Sequence, residues 1–213
     1  GFRYFSCDAD RGFFLNGRRV VIKGVCGHED CGLLGKAVPA NVHRYKMQLL
    51  KEMGVNGYRT SHYQQHSAIL DAADELGFIV MDETRWFSSS DESIEQMEML
   101  IRRDRNRPSV LFWSVGNEEP HHVTEEGRRI CKAMMSRIRK LDSSRVVMTA
   151  VCHDPDVATV YDELCPRRIS CGNGKIPNGV GNILSHRHVT QGGIARGDIG
   201  VKIGVLLPTV GFD

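Results

Sequence analysis

The chain has 213 residues, 41% of them hydrophobic and 25% charged, which suits one soluble globular domain. A net charge of +2 is too small to recommend nucleic acid or an acidic membrane surface as a partner. No apolar run nears the roughly 20 residues of a membrane span, and Gly1-Phe2-Arg3 is not followed by the apolar core of a signal peptide. The first residue is not Met, so the chain is expected to begin inside a larger protein. Its seven cysteines are odd in number and scattered, which argues against a disulfide framework and favours a reducing, cytoplasmic compartment.

Residues 1–12, with Phe2, Tyr4 and Phe5, read as the end of a preceding β-sandwich domain or a linker. Asn16-Gly17 is a hairpin signal, because both residues tolerate positive φ. Val20 to Val25 reads as a buried strand. Cys26, His28 and Cys31 follow closely, and an unrelated α/β protein could use them for a metal. No second Cys/His pair stands at structural-zinc spacing, so no metal is expected. Val42, Tyr45, Leu49 and Met53 fall on one helical face, stopped by Gly54. Val55 to Arg59 is strand-like. Ala68 to Leu76 is a second helix with Ile69, Ala72, Ala73 and Leu76 inward. Phe78 to Met81 is a strand ending at Asp82-Glu83. Ile94, Met97 and Ile101 mark a third helix, Val110 to Val115 a strand, Ile130, Met134, Ile138 and Leu141 a fourth helix, and Val146 to Ala150 a fifth strand.

Strands alternating with helices at short loop lengths predict parallel βα units. A doubly wound sheet would also satisfy that pattern. The barrel is preferred because polar residues follow strand after strand, where the active face of a barrel lies. The fold class is therefore α/β, an incomplete (β/α)8 barrel holding about the first five units. The composition changes near Cys165. Residues 165–213 hold ten of the 22 glycines and two acids, Asp198 and Asp213, and Ile199 to Leu207 is the one plausible strand run there. This stretch reads as a flexible tail or, preferably, as out-of-frame or foreign sequence joined to a barrel fragment spanning 13–164.

The most informative run is Ser109-Val110-Leu111-Phe112-Trp113-Ser114-Val115-Gly116-Asn117-Glu118, an apolar strand ending in an amide beside a carboxylate. With Arg103-Asp104-Arg105-Asn106-Arg107-Pro108 before it, the run resembles the acid/base signature of glycoside hydrolase family 2, which includes β-galactosidases, β-glucuronidases and β-mannosidases. Phe13 to Gly17, Ile22-Lys23-Gly24-Val25, His28-Glu29-Asp30, Gly54 to Tyr63, Asp71 to Gly77 and Val80 to Glu83 resemble successive parts of the same barrel, in order.

The resemblance implies a retaining hydrolase of terminal β-glycosides, β-galactosides first, whose carbohydrate substrate meets two carboxyl groups about 5–5.5 Å apart. Glu118 would be the acid/base and Asn117 the contact to the sugar 2-hydroxyl. His28 and His62 would line the pocket, Arg59 would brace the catalytic carboxylates, and Asp30 would reach sugar hydroxyls. Arg59 could equally be a buried ion-pair partner of Glu83 or Glu118. Trp86, after the third strand, is the aromatic placed to stack on a sugar, whereas Trp113 reads as core. His121 and His122 read as solvated loop residues. No cofactor is implied, and the parent enzyme could be a homo-oligomer.

Three departures stand out. Arg107 replaces the family's usual His before the proline. Thr84-Arg85-Trp86-Phe87 carries no acid or His where some β-galactosidases hold magnesium. The nucleophile, a Glu after the family's seventh strand, has no counterpart: the last Glu is Glu163, and nothing around Asp198 resembles its motif. Five strands cannot close an eight-stranded barrel, so the chain alone is expected to fold poorly or associate through open edges, with little activity. The alternative is a non-catalytic, sugar-binding remnant of such an enzyme.

Overall fold

The computed structural model describes residues 2–8, 11–150 and 201–204. Strands β1 (Phe5–Asp8), β2 (Gly12–Leu15) and β3 (Arg18–Arg19) form a small antiparallel sheet. Asn16 at φ 50° and Gly17 at φ 77° make the turn between the last two, and the Asn16 side chain accepts from the Tyr4 backbone N–H. The main sheet holds β4 (Gly24–Gly27), β5 (Gly57–Thr60), β6 (Ile79–Glu83), β7 (Val110–Asn117) and β8 (Val146–Ala150), parallel and in chain order. Between them run α1 (Ala40–Glu52), α2 (Ser67–Leu76), α3 (Asp91–Asp104) and α4 (Glu125–Leu141).

That strand order separates a barrel from a doubly wound sheet. A doubly wound sheet reverses direction at a switch point and carries helices on both faces. Here the order never reverses, and apolar side chains of all four helices pack in one cluster against Val25, Tyr58, Val80, Trp113, Val115 and Val147. The alternate strand residues Ile79, Met81, Phe112 and Met148 form a second cluster on the inner face with Phe13 and Ile22. Phe5, Phe13 and Phe112 pack there with tilted or edge-on rings whose centroids lie about 6 Å apart. The N-terminal hairpin thus plugs the inner face at the end where the strands begin. Arg3 fastens it by donating to the carbonyls of Pro108 and Val110, both at 2.7 Å.

The helix ends follow local chemistry. Ser90 and Thr124 accept from backbone N–H groups in the first turns of α3 and α4, and acids follow each cap, where the helix dipole favours them. Gly77 ends α2 in the left-handed conformation at φ 72°. Arg107 staples α2 to the loop before β7 through Asp71 at 2.8 Å, Asp74 at 3.1 Å and Asp104 at 3.0 Å.

Three expectations need correction. The inward face of α1 is His43, Lys46, Met47 and Leu50, while Tyr45 and Met53 are exposed. Lys46 lies on that face because its ammonium donates to the His28 carbonyl in the loop after β4, and the His43 ring stacks on that of His66 with centroids 5.0 Å apart. The strand expected over Val20 to Val25 starts only at Gly24. The preceding residues cross from the hairpin, with the Val20 N–H bonded to the Phe13 carbonyl and the Asn56 side chain bridging Val21 and Lys23. Finally, β4 is not an open edge, because β9 (Val201–Gly204) pairs with it antiparallel. The rest of the expected 165–213 tail, with Glu163, lies outside the described residues.

Candidate active site

The four parallel strands β4 to β7 bring their C-terminal ends to one mouth, and the predicted residues gather there. Strand alternation turns Arg59, Glu83 and Ser114 to the inner face, just past the apolar layer of Ile79, Met81 and Phe112. Glu83 is fully buried and acts as a hub. Its Oε2 accepts from Arg59 Nε at 2.6 Å and from the Ser114 hydroxyl at 2.8 Å, and its Oε1 lies 2.8 Å from His62 Nδ1. Arg59 is 2% exposed. Burial by itself would lower its pKa, but the adjacent Glu83 carboxylate outweighs that and holds the guanidinium above its ordinary range.

Arg59 then reaches across the sheet. Its Nη2 donates to Asn117 Oδ1 at 2.7 Å. This contact fixes the amide, because the carbonyl oxygen is the end a guanidinium can use, and Asn117 keeps its N–H₂ for another acceptor. The His62 ring meets that of His28 edge-on, with centroids 5.2 Å apart. The Tyr63 hydroxyl accepts from the Glu29 N–H at 3.2 Å, tying the loop after β4 to the loop after β5.

Glu118 stands one residue beyond β7, half-buried, at φ 51°. A non-glycine residue in the left-handed region is uncommon, and such conformations concentrate at functional sites. Its N–H bonds to the Ala150 carbonyl at 2.8 Å, so the end of β8 holds the turn. Asp30 is exposed beyond the loop after β4. Trp86 is half-exposed after β6, with the Arg85 guanidinium 4.4 Å from its ring centre.

Arg59, His62, Asn117 and His28 are therefore joined in one cluster, and Glu118 adjoins it through Asn117. Among the described residues, Asp30 and Trp86 make no bond to the cluster. Of the two partners expected for Arg59, Glu83 is the one it bonds. Ser114 and Thr60, whose hydroxyl accepts from the Glu83 N–H at 2.8 Å, were not singled out from the sequence. The signal for Ser114 was present, since it stands two residues after Phe112 on the same face of β7. His122 is not a solvated loop residue. It is fully buried, packs edge-on against Phe87 at 4.7 Å and lies 3.3 Å from the Thr149 hydroxyl.

Among the described residues, no three His, Cys, Asp or Glu side chains gather closely enough to hold a metal ion. Cys26 instead lies beside Arg59 Nη1 at 3.9 Å. The stretch after β6 offers an exposed Arg85–Trp86 pair and a buried Phe87, which is no donor set for magnesium. No helix among the described residues is long and apolar enough to cross a membrane.

Comparison with known proteins identifies the family. Residues 9–172 match the glycosyl hydrolases family 2 TIM barrel domain. A β-galactosidase of Bacteroides ovatus is 46% identical over 201 residues, covering 73% of this chain and 23% of the relative. The β-glucuronidase of Sus scrofa is 32% identical and covers 73% of this chain and 26% of its own length. Among solved structures, a family 2 glycosyl hydrolase from Bacteroides cellulosilyticus superposes with a TM-score of 0.71 at 36% identity, covering 78% of this chain and 23% of that one. A Bacteroides uniformis β-glucuronidase gives 0.65 at 33% identity, covering 71% and 21%. The chain belongs to the glycoside hydrolase family 2 TIM-barrel family, whose members act on β-glycosides. It spans about a quarter of the length of these relatives.

Proposed function

We propose that this chain is part of the catalytic barrel of a retaining β-glycosidase, with Glu118 as the acid/base, and that its first substrate class is the terminal β-galactoside. The bond from Arg59 Nη2 to Asn117 Oδ1 carries this reading. It ties the end of β7, where Glu118 stands, to the floor and to His62 on the neighbouring loop, so the proton donor shares a mouth with the polar groups that would hold a sugar. Asn117 then has its amide N–H₂ to donate to the 2-hydroxyl oxygen, a contact that strengthens in the transition state. Glu118 would protonate the departing glycosidic oxygen and later take a proton from water. His28 would line the pocket wall, with Asp30 and Trp86 at its rim. The β-galactosidase likeness at 46% identity favours the galactoside, although the other relatives named here include β-glucuronidases.

A retaining enzyme needs a second carboxylate to attack the anomeric carbon. Glu83 is not placed for it, being fully buried and bonded to Arg59, Ser114 and His62. No Glu follows Glu163 in the sequence, so in this reading the chain by itself is a half-pocket that binds a sugar without turning it over. Purified protein should hydrolyse a nitrophenyl β-D-galactoside no faster than the buffer does. Turnover at ordinary enzyme rates, about 1–1,000 per second, that disappears in Glu118→Gln would overturn this account of the chain.

A further inference from the structure

The hub at Glu83 holds more information than an ion pair. Two groups compete for His62 Nδ1. Arg59 Nη2 lies 3.3 Å away and could only donate to it, whereas Glu83 Oε1 lies 2.8 Å away and could only accept from it. A single nitrogen cannot meet both demands. The carboxylate is nearer, and Arg59 Nη2 already has a better acceptor in Asn117 Oδ1 at 2.7 Å. The proton therefore belongs on Nδ1, and the guanidinium merely passes alongside. The two oxygens of Glu83 also divide their work. Oε2 is taken by Arg59 Nε and the Ser114 hydroxyl, both donors, and Oε1 faces the imidazole.

We propose that Glu83 is a positioning residue that fixes His62 as the Nδ1–H tautomer and so presents the Nε2 lone pair to the mouth of the barrel as a hydrogen-bond acceptor. A buried carboxylate that orients an imidazole through one ring nitrogen decides what the other can do. What approaches Nε2 rests on the glycosidase reading: an acceptor there receives a hydrogen bond from a sugar hydroxyl and makes no bond to a second acceptor. The tautomer itself stands on the geometry alone.

The test is long-range ¹H–¹⁵N correlation on the full chain labelled with ¹⁵N-histidine, at neutral pH. In the unmodified chain His62 should show a protonated Nδ1 and a bare Nε2. In Glu83→Gln the remaining side-chain oxygen is claimed by Arg59 and Ser114, so the new amide turns its N–H₂ to Nδ1, and the pattern should invert to Nε2–H. Ser114→Ala, which removes a donor but leaves the carboxylate, should keep the original pattern. A merely structural role for Glu83 would change stability without inverting the tautomer. The proposal is overturned if His62 in the unmodified chain carries its proton on Nε2 or on both nitrogens. It is equally overturned if Glu83→Gln leaves Nδ1 protonated, or if His62 shows the tautomer mixture of an unfolded peptide. Adding methyl β-D-galactoside separates the two readings. A shift confined to Nε2 supports both, whereas inversion in Glu83→Gln with no response to the sugar upholds the tautomer and sinks the half-pocket.

Discussion

Asp82 and Glu83 are neighbours in β6, both with no exposure, yet they live in opposite surroundings. The pleat turns Glu83 inward to a guanidinium and Asp82 outward, toward Thr60 on β5 and Asp104 on α3. Asp104 is neutralised by Arg103 and Arg107, while Asp82 Oδ1 receives a single hydroxyl proton from Thr60. Asp82 Oδ2 has no hydrogen-bond partner among the described residues, and the Asp104 carboxyl acts on the same side chain. Burial first, and then Asp104, push the Asp82 pKa well above its ordinary 3.8. The sign of the linkage follows. The folded chain holds this proton after the unfolded chain has lost it, so the contribution is fully present below about pH 3.8 and is lost as pH rises toward the folded-state value. Asp82→Asn, whose amide imitates the protonated acid, should therefore gain on the unmodified chain as pH increases. Urea unfolding of both proteins from about pH 4 upward through neutral pH measures the gap, and a constant gap would contradict the raised Asp82 pKa.

At the scale of elements, β4 and β5 can lie close because their bases carry glycine. A Cβ on Gly57 would come within 2.6 Å of Ile22 Cγ2 and 3.2 Å of Gly24 Cα. Ile22 belongs to the inner cluster under the N-terminal hairpin, so it cannot retreat without disturbing Phe13. Gly57→Ala should cost about 1–3 kcal/mol as overpacking, read from the urea midpoint. Phe13 itself has no exposure and packs between Phe5 and Phe112. Phe13→Ala should cost about 3–5 kcal/mol, a large share of what holds any domain together. Its loss would loosen the plug, and the floor formed by Arg59 and Glu83 lies just above the layer that the plug supports.

At the scale of the whole molecule, five parallel strands make an arc with two ends. One end is β4, and β9 covers its hydrogen-bonding edge. An uncovered strand edge is a template for other chains. Removing residues 165–213 should therefore increase self-association, seen by light scattering at rising concentration. An unchanged molecular mass would show that β9 does not protect that edge.

The sequence by itself determined the βα alternation, the inward faces of α2, α3 and α4, and the family. These are local matters: periodic apolar positions, glycine stops and an unbroken motif are read residue by residue. It also put Asn117 and Glu118 at the end of a strand. Tertiary structure decided what depends on neighbours distant in the chain. The inward face of α1 follows its contact with the loop after β4, and the burial of His122 follows Phe87 and Thr149. The pairing of β9 with β4 joins segments far apart in the chain. The hub at Glu83 arises because strands β5, β6 and β7 lie side by side in order, which places an arginine, a carboxylate and a serine on one face at one height. No spacing along the chain encodes such a meeting, since hydrogen bonds and charges act across the sheet and not along the strand.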